Sequence, residues 1–138
     1  MKMEESDLTE KIIGCAMKVH SELGPGFLES VYQKALAHEL GKSGLDARLE
    51  EPVTVRYDGV VVGTFSADLL VEQKVLVELK ANQTLVPANG AQLANYLTAT
   101  GMEIGLLMNF GAARLEIKRK TRTYRPKQTG LISDDGSW

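Results

Sequence analysis

Apolar residues recur at helical spacing between Asp7 and Leu23, at Ile12, Ala16, Val19 and Leu23 with Ile13 and Met17 beside them, which predicts an amphipathic helix. Gly24-Pro25-Gly26 stops it, because proline cannot continue the hydrogen-bond ladder and glycine suits the left-handed turn that ends a helix. A second helix is expected from about Phe27 to Lys42, carrying Leu28, Val31, Tyr32, Ala35, Leu36 and Leu40 toward a core, with Gly44 closing it. The period then shortens to that of a strand. Val53, Val55 and Tyr57 alternate with Thr54 and Arg56, and the Asp58-Gly59 turn leads into Val60-Val61-Val62. Further strands are expected through Phe65, Ala67, Leu69 and Val71, and through Val75, Val77 and Leu79. A third helix follows, from roughly Asn89 to Thr100. Ile104 to Phe110 is apolar on both faces, as in a strand covered on both sides, and Leu115 to Lys120 alternates weakly, as an edge strand does. The order is α-α-β-β-β-α-β-β, an α/β pattern.

Chemistry enters at the turn around Glu72. With a three-residue loop, Glu72-Gln73-Lys74, Val71 faces Val75, Leu69 faces Val77 and Ala67 faces Leu79, so every apolar pair shares one face. The other face then pairs Asp68 with Glu78 and Ser66 with Lys80. Facing carboxylates repel, and a divalent cation relieves that repulsion: Mg²⁺ or Mn²⁺ takes one or two protein carboxylates together with waters and phosphate oxygens. Lys80 on the same face could orient or deprotonate a water, or stabilise charge on a phosphodiester. The plainer alternative is a solvated strand face. In the second helix, Glu29 falls at the margin of the apolar stripe, a costly place for an unpaired carboxylate, and is a candidate to point inward to a metal or cation; Glu39 falls there by the same arithmetic. In the third helix Gln92 and Tyr96 lie four residues apart on one face, where an amide and a phenol could hold a phosphate or the lysine.

Composition narrows the setting. The 138 residues, 43% hydrophobic and 25% charged, suit one domain spanning residues 1–138, with a loose tail from about residue 128, and speak against disorder or a disulfide scaffold. Cys15 has no partner for an internal bridge, the acidic opening lacks a signal-peptide pattern, and no run is long and apolar enough for a membrane span. The expectation is a cytoplasmic protein with no membrane partner. The net charge of −2 conceals a basic stretch at Lys118, Arg119, Lys120, Arg122, Arg125 and Lys127, which reads either as a docking strip for a polyanion or as a charged edge strand that resists aggregation.

Taken together, these residues resemble a known family. Gly26-Phe27-Leu28-Glu29-Ser30-Val31-Tyr32 matches the signature of the GxxExxY proteins, a RecB-like branch of the PD-(D/E)XK nuclease superfamily. The similarity continues through Val19 to Gly26, Ala67 to Glu72, Val77 to Lys80, Ala91 to Leu97 and Gly105 to Gly111. The resemblance implies a restriction-endonuclease-like core, a mixed sheet flanked by helices, with Asp68 and Glu78 binding the metal, Lys80 as catalytic lysine, Glu29 as an extra helical carboxylate ligand, and Gln92 with Tyr96 as the Gln-x-x-x-Tyr motif. Ser66 and Asn89 depart from it, standing where arginine and histidine are common. The expected activity is Mg²⁺- or Mn²⁺-dependent hydrolysis of phosphodiester bonds, in DNA. The alternatives are a non-catalytic module of the same fold that binds nucleic acid or a protein, and a homo-oligomer built on an apolar sheet face.

Overall fold

A computed structural model describes residues 5–122. The helices are α1 (Glu5–Leu23), α2 (Glu29–Lys42) and α3 (Pro87–Thr100); the strands are β1 (Ala47–Tyr57), β2 (Val60–Val71), β3 (Val75–Lys80), β4 (Ile104–Asn109) and β5 (Glu116–Thr121). The strands form one sheet in the order β1-β2-β3-β4-β5, antiparallel except for the β3–β4 pair. That parallel pair follows from the chain itself, because α3 lies between β3 and β4 and carries it back across the sheet. This is a five-stranded mixed sheet flanked by helices, as expected. The basic residues Arg125 and Lys127 and the expected tail lie outside the described residues.

Two apolar layers sandwich the sheet. Leu8, Ile12, Ala16 and Val19 of α1 and Tyr32, Leu36 and Leu40 of α2 pack with Leu69, Val71, Val75, Val77, Leu79, Leu106 and Met108. On the opposite face Leu93, Tyr96 and Leu97 of α3 meet Leu70, Leu76 and Leu107. α3 sits so close to β4 that a Cβ on Gly105 would come within 2.8 Å of Leu93 Cδ1. β4 is therefore buried along its whole length, as its unbroken apolar run requires.

Three local expectations need correction. α2 begins at Glu29, not at Phe27, and Leu28 and Val31 are exposed, because Leu28 is extended and precedes the first helical turn. Ala67 packs in the α3 layer with Val53 rather than facing Leu79, because β2 pairs with β3 only from Leu69 to Val71 and its earlier residues run with β1 alone as a two-stranded arm over α3. Ser66 accordingly pairs with Pro52 of β1, not with Lys80. The expected three-residue loop is present: Glu72 and Gln73 both take positive φ, and Lys74 N–H donates to Val71 O at 3.0 Å.

Candidate active site

Where β2 parts from β3, two carboxylates replace the missing rungs of the ladder. The Asp68 N–H donates to Glu78 Oε1 at 3.0 Å, and the Leu79 N–H donates to Asp68 Oδ2 at 2.7 Å. Asp68 and Glu78 are thus held side by side, as the loop register predicts, each locked to the opposite strand's backbone. Glu78 is only 5% exposed and Asp68 is half-buried. Burial, followed by the charge of Asp68, pushes the Glu78 carboxyl up to about 8. Burial also raises Asp68, with Glu29 and Glu50 adding to it, while the Lys80 ammonium lowers both acids. The Lys80 charge is thus close enough to act on both acids.

The donor set suits a hard divalent cation. Asp68 Oδ1 and Glu78 Oε2 have no hydrogen-bond partner among the described residues, and burial makes both acids harder to ionise even with the Lys80 charge near them. No three His, Cys, Asp or Glu side chains among the described residues converge closely enough to hold a metal unaided. Two carboxylates with water and phosphate oxygens completing the shell is the usual arrangement for Mg²⁺. Glu29, expected as a further ligand, does not stand with Asp68 and Glu78 in a close group of three among the described residues. It is the first residue of α2 and exposed, so it contributes charge to the site rather than a close oxygen.

The signature around Glu29 works as a clamp. Tyr32 is fully buried, stacks on Phe110 with ring centroids 4.8 Å apart, donates its hydroxyl to Gly24 O at 2.5 Å and accepts from the Phe27 N–H at 3.1 Å. The loop it grips turns through Gly24 and Gly26, at φ +68° and +116°, which side chains resist. Glu29 follows directly, so glycine, glutamate and tyrosine form one device that fixes the start of α2. His20, for which the sequence offers no chemistry, ties α1 to the β4–β5 loop through Nε2 and Ala112 O, 3.0 Å apart. Glu39, the other acid of the stripe, pairs with Lys18 and Lys42 and joins α2 to α1.

Tyr96 of α3 is buried, and its phenol is raised first by burial and then by the charges of Glu78 and Asp68, which places it within reach of the pair's field. Gln92 is exposed one turn earlier, and no hydrogen bond among the described residues joins either to Lys80. Asn89 acts structurally, since its Oδ1 accepts from the Val86 N–H at 3.0 Å and caps α3.

Sequence reasoning missed Glu50 and Gln33. Glu50 falls opposite Asp68 between the Leu49–Leu69 and Glu51–Ala67 pairs, and takes φ +57°. Its carboxylate accepts from Gln33 Nε2 at 2.9 Å and from Ser66 Oγ at 2.7 Å, and these bonds lower its pKa. The buried Gln33 amide also donates to Asp68 O at 3.0 Å, so α2 holds the β2 backbone where the ladder opens. Asn109, fully buried, was also missed. Its Oδ1 accepts from the N–H groups of Asn82 and Gly111, and its Nδ2 donates to Glu116, while the Phe110 N–H donates to Lys80 O at 2.8 Å. The backbone of Lys80 is therefore fixed from the neighbouring strand. Of the basic stretch, Lys118 and Arg119 are exposed on edge strand β5, whereas Arg122 is engaged by Glu103.

A family model described as the PD-(D/E)XK nuclease superfamily matches residues 6–120. Among solved structures, the one titled "Crystal structure of SSO0001" superposes with a TM-score of 0.54 at 19% identity, over 91% of this chain and 61% of that one. The chain thus spans about three-fifths of that structure's length, and the likeness concerns the fold. No curated protein matches the chain. With a match of that extent and the sheet and carboxylate pair described above, the chain belongs to the PD-(D/E)XK nuclease superfamily.

Proposed function

We propose that the protein is a nuclease that hydrolyses phosphodiester bonds, in DNA, with Asp68 and Glu78 holding Mg²⁺ or Mn²⁺ and Lys80 as the catalytic base or charge stabiliser. The observation that carries this reading is the buried carboxylate pair, fixed to backbone amides and acted on by the Lys80 charge. When bound, the ion would neutralise phosphate charge and acidify a water. Asp68 and Glu78 would hold it, Lys80 would accept a proton from the attacking water or stabilise the charge that develops, and Tyr96 with Gln92 would border the substrate. Glu29 adds negative charge from the tip of α2, in keeping with the GxxExxY, RecB-like character of Gly26 to Tyr32.

The test compares two variants in Mn²⁺ calorimetry and in nicking of supercoiled DNA. Asp68→Asn should lose both ion binding and cleavage, whereas Lys80→Ala should keep the ion and slow cleavage by ~10²- to 10⁴-fold. Nicking that survives Asp68→Asn refutes the assignment. A second reading, a non-catalytic nucleic-acid-binding module, draws on the placement of Glu29 outside a three-carboxylate group. It predicts wild-type protein that binds DNA and cuts nothing.

A further inference from the structure

The β1–β2 arm and α3 enclose a groove of about 1060 Å³ that begins beside Tyr96 and runs toward the hairpin tip. Its lining includes Arg56, Tyr57 and Phe65 from the arm and Gln92, Asn95 and Tyr96 from α3. Phe65 is 49% exposed and Tyr57 75%, an unfavourable way to present large rings to water unless something covers them. The Phe65 ring is nonetheless held in place. It lies 5.8 Å from the Tyr96 ring, and a Cβ on Gly63 would come within 3.1 Å of its edge. Beside these rings stand the exposed amides of Gln92 and Asn95, without hydrogen-bond partners among the described residues. Each amide offers both a donor and an acceptor.

Aromatic faces next to bifunctional amides match the two surfaces of a nucleobase, its π-face and its hydrogen-bonding edge. An aliphatic ligand would leave the amides unused, and a paired base would hide its edge from them. We propose that this groove takes an unpaired nucleobase of the strand being cut, stacked on Phe65 and Tyr57, and so directs the site to single-stranded or frayed substrate. The choice of ligand rests on the nucleic-acid reading above, and Tyr96 links the two places, since it lines the groove and feels the charges of Glu78 and Asp68. Arg56 and Asp58 both border the groove and offset one another in charge. Stacking therefore sets the affinity there, and the salt dependence of binding arises elsewhere.

Fluorescence anisotropy of the full chain in EDTA tests this, using a labelled single strand, as DNA and as RNA, against a blunt duplex of the same sequence. Wild type should prefer the single strand. Phe65→Ala should weaken that binding ~5- to 100-fold with an unchanged salt slope, and Phe65→Trp should restore it. Tyr57→Ala, at the more exposed ring, provides a second reading should Phe65→Ala fold poorly. Such a loss in either the DNA or the RNA arm supports the inference and names the polymer. Equal affinity for strand and duplex, or a single-strand preference that survives both alanine variants, overturns it. Nicking assayed in parallel keeps the two readings apart: nicking without a single-strand preference removes the groove alone, and a stacking-dependent preference without nicking removes catalysis alone.

Discussion

The metal-free protein should be destabilised by its own active site as the pH rises. Unfolded, Glu78 ionises near its ordinary value of 4.5; folded, it does so near 8. Between those values the native state holds a proton that the unfolded chain has released, so stability falls as pH increases, by ~1.4 kcal/mol per pH unit, and levels off outside the window. The full difference between 4.5 and about 8 amounts to ~5 kcal/mol. Glu78 is faced by Asp68 and Glu29, which add to the penalty, and by Lys80, which reduces it. Glu78→Gln keeps Oε1 as acceptor for the Asp68 N–H and removes the charge, at a cost of ~1 kcal/mol for the new amide donor. The variant should therefore be ~2–4 kcal/mol more stable than wild type at pH 8.5 in EDTA, and up to ~1 kcal/mol less stable at pH 4.5. Urea unfolding at half-unit steps from pH 4.5 to 9 measures this. The shallower slope left in the variant belongs to Asp68, whose pKa is raised in the same direction. Parallel curves for the two proteins would refute the reasoning. Mg²⁺ at a hundredfold excess over Kd and pH 8 should close most of the gap between them by stabilising only wild type, by ~2.7 kcal/mol.

Tyr32→Phe keeps the stack on Phe110 and deletes both hydroxyl bonds, so denaturant unfolding should show a loss of ~1–3 kcal/mol, with slower cleavage as the start of α2 and Glu29 loosen. Gly111→Ala would drive a Cβ within 2.4 Å of backbone atoms of Ala81 and Asn82, and should cost ~2 kcal/mol or more by the same assay. If β5 tracks a phosphate backbone, Lys118→Ala and Arg119→Ala should each lower the slope of log K against log salt by ~0.7–0.9, whereas an unchanged slope marks the strand as a solubilising edge.

The carboxylate pair was legible because a single loop length satisfies the hydrophobic alternation on both sides of it, and Val71, Leu69, Val75 and Val77 admit no other register. Glu50 was hidden by one residue. The Asp58-Gly59 turn pairs Tyr57 with Val60, but the register shifts between Val55 and Arg56, which moves Glu50 from opposite Ala67 to opposite Asp68. Bulges carry no periodic signal. Ala67 and Ser66 were misplaced for a related reason, since strict alternation assumes that β2 stays paired with β3, and where the strands separate Ala67 turns to the layer opposite Leu69. The exposure of Glu29 was equally invisible, because helical-wheel arithmetic assumes the helix has already begun, and Leu28 is still extended. Asn109 gave no signal beyond its place in a strand, as its partners are loop amides contributed from both sides.

Because Asp68 and Glu78 serve as acceptors for the sheet's own amides, truncating either removes a piece of the fold along with any chemistry. An alanine scan would therefore misreport them, scoring misfolding as lost activity, and only amide replacements keep the two effects apart. The same point bears on reading relatives. A descendant that had given up catalysis would still need an acceptor at both positions, and an amide would serve there, so it is the retained charge and not the acceptor role that speaks for metal chemistry. The Lys80 side chain carries no such duty, since only its backbone is bonded to β4. Under the proposed function, replacing the Lys80 side chain is therefore the change expected to end the chemistry and spare the fold.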